Sequence, residues 1–215
     1  MAKIRKQSLV DQIYSLLRES ILTLRYPLGS RINVNEIQQE YGVSSTPLRE
    51  ALNRLQQEGL VTTQTNVGAS VLPLTPHDVE EIEEVAFALQ TAAVHFALSR
   101  GNRELILQKV DEQVQRYAAA RNSRENLRAF HELIGVFYHN CGNRRLDNSM
   151  IAIQGQVLLL RYIYAECPGS RDNLDLLEKM RDGVRDNDPQ AILDALQCYS
   201  RRSRPAILAW LEAHK

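Results

Sequence analysis

The stretch Gly42-Val43-Ser44-Ser45-Thr46-Pro47-Leu48-Arg49-Glu50-Ala51-Leu52 runs from a turn glycine through a cluster of hydroxyls into an amphipathic helix. At helical spacing Leu48, Ala51, Leu52 and Leu55 share one arc of about 100°. Ser45, Thr46, Arg49 and Asn53 turn away from that arc. One face is built to pack. The other offers short hydroxyls, a guanidinium and a carboxamide, the groups that bond phosphate oxygens and base edges in a major groove. The pattern implies double-stranded DNA as a partner.

Working outward, Ser8 is placed to cap a first helix reaching about Leu24, with Val10, Ile13, Leu17, Ile21 and Leu24 in one stripe. Arg25 to Arg31 contains Pro27 and Gly29 and reads as a connection. A short helix follows from Val34 to Tyr41, stopped by Gly42. The next begins among Ser44, Ser45 and Thr46, tolerates Pro47 in its first turn, and stops near Gly59. Leu60 to Gln64 and Ala69 to Leu72 are short β-branched runs bridged by Thr65-Asn66-Val67-Gly68, which predicts a hairpin. Three helices and a hairpin in this order make a winged helix-turn-helix over residues 1–73.

Beyond the Pro73-Leu74-Thr75-Pro76 linker only helical periodicity is found, over roughly 76–99, 103–120, 123–140, 144–166, 171–186 and 189–213. Residues 74–215 are therefore expected to form a six-helix antiparallel bundle, and the whole chain a mostly α fold. Formal net charge is zero over the 215 residues, with eight Lys and Arg against six Asp and Glu before Pro73 and eighteen against twenty after it. So small a basic excess leaves affinity for DNA to a few placed cations and to doubling of the domain in a dimer. Cys141, Cys167 and Cys198 show no CxxC spacing, which fits reduced thiols in a cytoplasmic protein. No apolar run approaches the roughly 18 residues of a membrane helix, and no signal peptide is indicated.

The chain resembles the GntR family of bacterial transcription regulators. The matching residues are Pro27-Leu28-Gly29-Ser30-Arg31-Ile32, Gly42-Val43-Ser44, Pro47 to Leu52, Leu55, Glu58-Gly59-Leu60-Val61 and Gly68. The helical remainder is similar to the FadR-like, or FCD, effector domain of the VanR-like variety. Its core is Phe130-His131, Cys141-Gly142-Asn143 and Leu146. The resemblance implies a homodimeric regulator, commonly a repressor, that binds a palindromic operator and responds to a small-molecule effector. With the residue reading above, it places DNA contacts at Arg31, Asn35, Ser44, Ser45, Thr46, Arg49, Asn53, Asn66 and Gly68. Asn35 and Ser45 stand where some members carry Arg. Glu50 and Arg54 are expected to pair with each other on the helix surface.

FCD domains usually hold a metal on one Asp and three His. Carried over by position, these fall on Leu127, His131, Leu177 and Tyr199, so one imidazole remains and neither a metal nor another cofactor is expected. Family Arg and Glu positions on the first bundle helix hold Ala86 and Gln90. The effector pocket is expected around Gln90, Leu127, His131, Arg161, Leu177 and Tyr199, and its composition suggests an apolar or neutral effector. A core histidine satisfied by Tyr199 or a carbonyl is the plain alternative for His131. No Ser-His-acid order, HExxH or phosphate-cradling Gly-rich loop is found, so an enzyme is not expected. The competing reading is a helical ligand-binding protein with a vestigial winged helix.

Overall fold

The computed structural model describes residues 8–64, 68–167 and 172–214. The chain divides into two compact units, Met1–Leu74 with Gln154–Gln156, and Thr75–Ile153 with Val157–Lys215. The first contains α1 (Leu9–Leu22), α2 (Val34–Tyr41), α3 (Ser45–Gln57) and the antiparallel strands β1 (Val61–Gln64) and β2 (Gly68–Val71). Ser8 caps α1 reciprocally: its hydroxyl accepts from the Asp11 N–H, and the Asp11 carboxylate accepts from the Ser8 N–H. The helix closes two residues before its apolar stripe runs out. Leu24 adopts a left-handed φ of 58°, and the Arg25 N–H turns back to the Ser20 carbonyl at 2.9 Å.

α1 packs against α3, with Ile13, Leu17 and Ile21 of the one and Leu48, Ala51, Leu52 and Leu55 of the other buried. Polar links fasten the same pair of helices. Glu58, buried just past α3, accepts from the Tyr14 hydroxyl and from Arg18 Nε at 2.9 Å, while Arg54 bonds Asp11 at 2.8 Å. Burial, then the bond to Glu58, pushes the Tyr14 phenol up to about 12.

In the hairpin Val61 faces Val71. Ser30 and Arg31, read from sequence as part of a connection, in fact extend this sheet together with Ile32. The Ile32 N–H donates to the Ala69 carbonyl and the Val71 N–H to the Ser30 carbonyl, each at 2.9 Å.

The second unit consists of α4 (Pro76–Arg100), α5 (Arg103–Ala118), α6 (Ser123–Asn140), α7 (Arg144–Glu166), α8 (Leu174–Asp186) and α9 (Pro189–Ala213). Thr75, Asn102, Asn122, Asn143 and Asp188 each accept a first-turn N–H at the start of their helices. α8 starts three residues later than the periodicity suggests. Asn173 is held instead by the Tyr117 hydroxyl, which accepts its N–H at 3.0 Å, and by Arg202. α4 packs on α6 and α9, α5 on α6 and α8, and α8 on α9. α7 is buried all round from Val157 to Tyr164 except at half-buried Tyr162, as an interior helix should be.

Replacing Glu58 by Ala removes one partner of a buried ion pair and is expected to cost about 3 kcal/mol in urea unfolding. A second expectation concerns acid. Arg202 bonds Asp175 in a fork at 2.8 and 2.7 Å and holds its carboxyl below the model-peptide value of 3.8. Its contribution is complete above 3.8 and disappears as pH falls through the lower folded value. Asp175→Asn should therefore lower the melting temperature at neutral pH, and the difference from wild type should close in strong acid.

Candidate functional site

Gly42 ends α2 with a left-handed φ of 63°, a backbone state that strains any residue with a Cβ. Ser44 follows in extended geometry as the N-cap of α3, yet its hydroxyl makes no cap bond. Leu48, Ala51 and Leu55 are fully sealed and Leu52 nearly so. Ser44, Thr46, Arg49 and Asn53 are exposed and Ser45 is half-buried. Among the described residues, no hydrogen bond or ion pair engages the side chains of Ser44, Ser45, Thr46, Arg49 or Asn53.

The other arginine of α3 behaves differently: Arg54 is tied to Asp11 at 2.8 Å and to Glu50 at 2.9 Å. Arg49 is therefore the uncommitted cation of this helix, beside an open helix start whose N–H groups and dipole favour phosphate.

Arg31 and Gly68 are brought together. Arg31 is exposed, and its guanidinium lies so near Gly68 that a Cβ there would meet it at 3.8 Å. Gly68 has a φ of 100°, which permits the turn into β2. Asn35 is exposed on the first turn of α2, its N–H bonded to the Asn33 side chain. Asn66 lies outside the described residues.

In the helical unit two cavities share three residues, Phe130, Arg161 and Tyr199. The smaller, about 50 Å³, is lined by Ile82, Glu83, Ala86 and Gln90 of α4, with residues of α7 and α9 opposite. The larger, about 150 Å³, adds Tyr117, Asn126, Leu127, Tyr164, Asp172 and Asn173. The rings of Phe130 and Tyr199 stack at 4.4 Å, and Tyr164 meets Tyr199 edge-on at 5.8 Å. Burial pushes the Tyr199 phenol far above its ordinary value and pulls the Arg161 guanidinium below its own. Arg161 nevertheless stays charged at neutral pH.

Of the pocket residues expected from sequence, Gln90, Arg161 and Tyr199 line the smaller cavity, and Leu127, Arg161 and Tyr199 the larger. His131 lines neither. Its Nδ1 lies 3.0 Å from Arg161 and must accept, because a guanidinium only donates. Leu177 is a correction. It is completely buried on α8 and lines neither cavity, so it belongs to the core.

The four positions where the resemblance puts metal ligands do not suit a metal. Two are leucines, one is a tyrosine, and the one imidazole turns its Nδ1 to an arginine. Among the described residues no three His, Cys, Asp or Glu gather as a ligand group. Sequence reading did not single out Tyr117, Asn126 or Asn173. Their helices converge only in three dimensions, and nothing in local spacing marks them.

Residues 9–71 match the family described as bacterial regulatory proteins, gntR family. YdhC of Bacillus subtilis, an uncharacterised HTH-type transcriptional regulator, is 32% identical over 145 residues, covering 64% of this chain and 62% of that protein. The chain spans 49% and 40% of the length of two further HTH-type relatives. Two solved structures share the fold. A GntR transcriptional regulator of Rhodococcus sp. RHA1 superposes with a TM-score of 0.72 at 20% identity, over 94% of this chain and 99% of the other. McbR/YncC of E. coli gives 0.71 at 18% identity, over 98% and 100%. No helix among the described residues is long and apolar enough to cross a membrane. Residues 9–71 are thus similar to the helix-turn-helix domain of the gntR family, and the chain shares the fold of these solved regulators.

Proposed function

We infer that the protein is a homodimeric, effector-responsive transcription regulator, in its default mode a repressor. The observation that carries this reading is the division of α3. Its leucines are buried while Thr46, Arg49 and Asn53 stand in solvent with no partner among the described residues. A helix that presents an unspent guanidinium and carboxamide beside an open N-terminus is suited to the major groove, where these groups read guanine and adenine edges or clamp phosphate. Arg31, adjacent to Gly68 at the turn end of the hairpin, supplies a cation for the flanking backbone.

Two-fold pairing sets two such helices on successive half-sites of a short palindrome. A small molecule in the helical domain would act by shifting the population between half-site spacings that fit and do not fit DNA. Ser44, Ser45, Thr46 and Asn35 are assigned to contacts along the same strand backbone, and Asn66 to the wing tip.

The test is a fluorescence-anisotropy titration of the full chain against a duplex it selects from upstream genomic fragments. The affinity should fall linearly on a log–log salt plot, with a slope that counts phosphate contacts. Arg49→Ala is expected to lose about 1–3 kcal/mol of binding. An unchanged titration for that variant, or affinity indifferent to salt, removes α3 from the interface and favours a ligand-binding protein whose winged helix is vestigial.

A further inference from the structure

Six large apolar side chains are exposed among the described residues: Leu9, Leu16, Tyr41, Val85, Leu105 and Ile151. The last three stand singly on α4, α5 and α7. The first three meet in one groove of the winged helix, about 150 Å³ in volume, between α1 and α2. Scattered apolar side chains on a surface are ordinary, but a cluster of them marks an interaction site. Leu9, Gln12 and Leu16 run along one side of α1 at helical spacing, and Ile37 and Tyr41 line the groove from α2. Buried Ile13, Leu17 and Ile37 form its floor, while Leu9, Leu16 and Tyr41 remain 50%, 40% and 40% exposed.

The rim of the groove carries one charge of each sign beside Tyr41. Burial, then a hydrogen bond to Glu40, pushes the Tyr41 phenol up, and Arg25 pulls it back, so both charged groups lie near its hydroxyl. Both are exposed, and among the described residues neither forms an ion pair. An apolar centre flanked by both signs is complementary to itself. About a two-fold axis Arg25 of one copy meets Glu40 of the partner subunit, and the reverse, while the apolar side chains close on each other. The described residues hold no second exposed apolar cluster that could receive this one. Tyr41 and Val43, which line the groove, come immediately before Ser44, the N-cap of α3, so the patch adjoins the row assigned to DNA.

We propose that the two winged helices of a dimer dock on each other through this α1–α2 groove, Leu16 and Tyr41 of each seated against the same residues of the other. The occupant is a second copy of the chain. Three apolar side chains and a narrow rim fall short of the roughly 800 Å² per partner that a stable interface buries, so this contact does not hold two chains together by itself. It forms where the helical domains and adjacent half-sites already keep the copies close, at high effective concentration. The contact then sets the distance between the two α3 helices, and with it the half-site spacing that the protein accepts. The inference rests on reading the protein as a dimer that binds a palindrome.

The experiment places a thiol in the groove of the full chain, Leu16→Cys, and treats it with a short bismaleimide, both free and on a duplex selected from a random-sequence pool. Wild type, with its half-buried Cys198, and Leu105→Cys, on α5, give the background. Leu16→Cys should yield covalent dimer well above both, and faster on DNA. A second variant, Leu16→Glu, changes an exposed side chain and should melt as wild type does. It should bind a duplex with one half-site normally but lose about ten- to a hundredfold on the full palindrome. It should also tolerate base pairs added or removed between half-sites that wild type rejects.

The proposal is overturned if Leu16→Cys cross-links no better than the background, or if Leu16→Glu keeps full affinity for the palindrome. Lost affinity without a cross-link gives the groove to another segment or another protein and overturns it equally. Cross-linking of the free chain together with failure to bind any duplex leaves the docked pair standing and sinks the regulator reading. Binding to a palindrome without a cross-link does the reverse.

Discussion

The burial of Leu48, Ala51, Leu52 and Leu55 governs the function of the first domain. Each large side chain of this stripe gives about 1.5–3 kcal/mol when taken out of water, enough to lock the rotation of α3 about its axis. Once that rotation is set, Thr46, Arg49 and Asn53 have nowhere to point but outward. The same packing explains why the other arginine of the helix does not compete. Arg54 is turned toward α1 and spent on Asp11, so the domain divides its two α3 cations between scaffold and surface.

Polar groups reinforce this division. Glu58 gathers Tyr14 and Arg18, and its burial is tolerable because both neighbours donate to it. The capping hydroxyls of α3 go the other way. A serine at an N-cap normally spends its oxygen on a first-turn N–H, yet Ser44 does not. The bond that the isolated domain forgoes there remains available to an outside partner.

Much of the architecture was legible from residues alone, and the reasons are local. Val34–Tyr41, Ser123–Asn140, Arg144–Glu166 and Pro189–Ala213 begin after Asn33, Asn122, Asn143 and Asp188, whose side chains cap within three residues. Such signals need no tertiary context. The end of α1 was not legible, because Leu24 continues the apolar stripe while its backbone has already left the helix. The pairing of residues 30–32 with β2 was hidden behind Pro27 and Gly29, which mark a turn but carry no sign of the strand contact beyond it. Leu177 is placed by position from the resemblance, and such placement carries no information about which face of α8 meets the cavity. The partner of His131 is 30 residues distant, and only packing joins them.

The central claim, that the leucine-anchored helix meets DNA with its polar row, is tested most directly by arginine modification with phenylglyoxal. The full chain would be modified free and bound to a duplex selected from a random-sequence pool, and each arginine read by mass spectrometry. Arg49 should react readily in the free protein and be shielded on DNA, while exposed arginines of the helical domain such as Arg103 react equally in both. Equal reactivity of Arg49 with and without bound duplex would contradict the account.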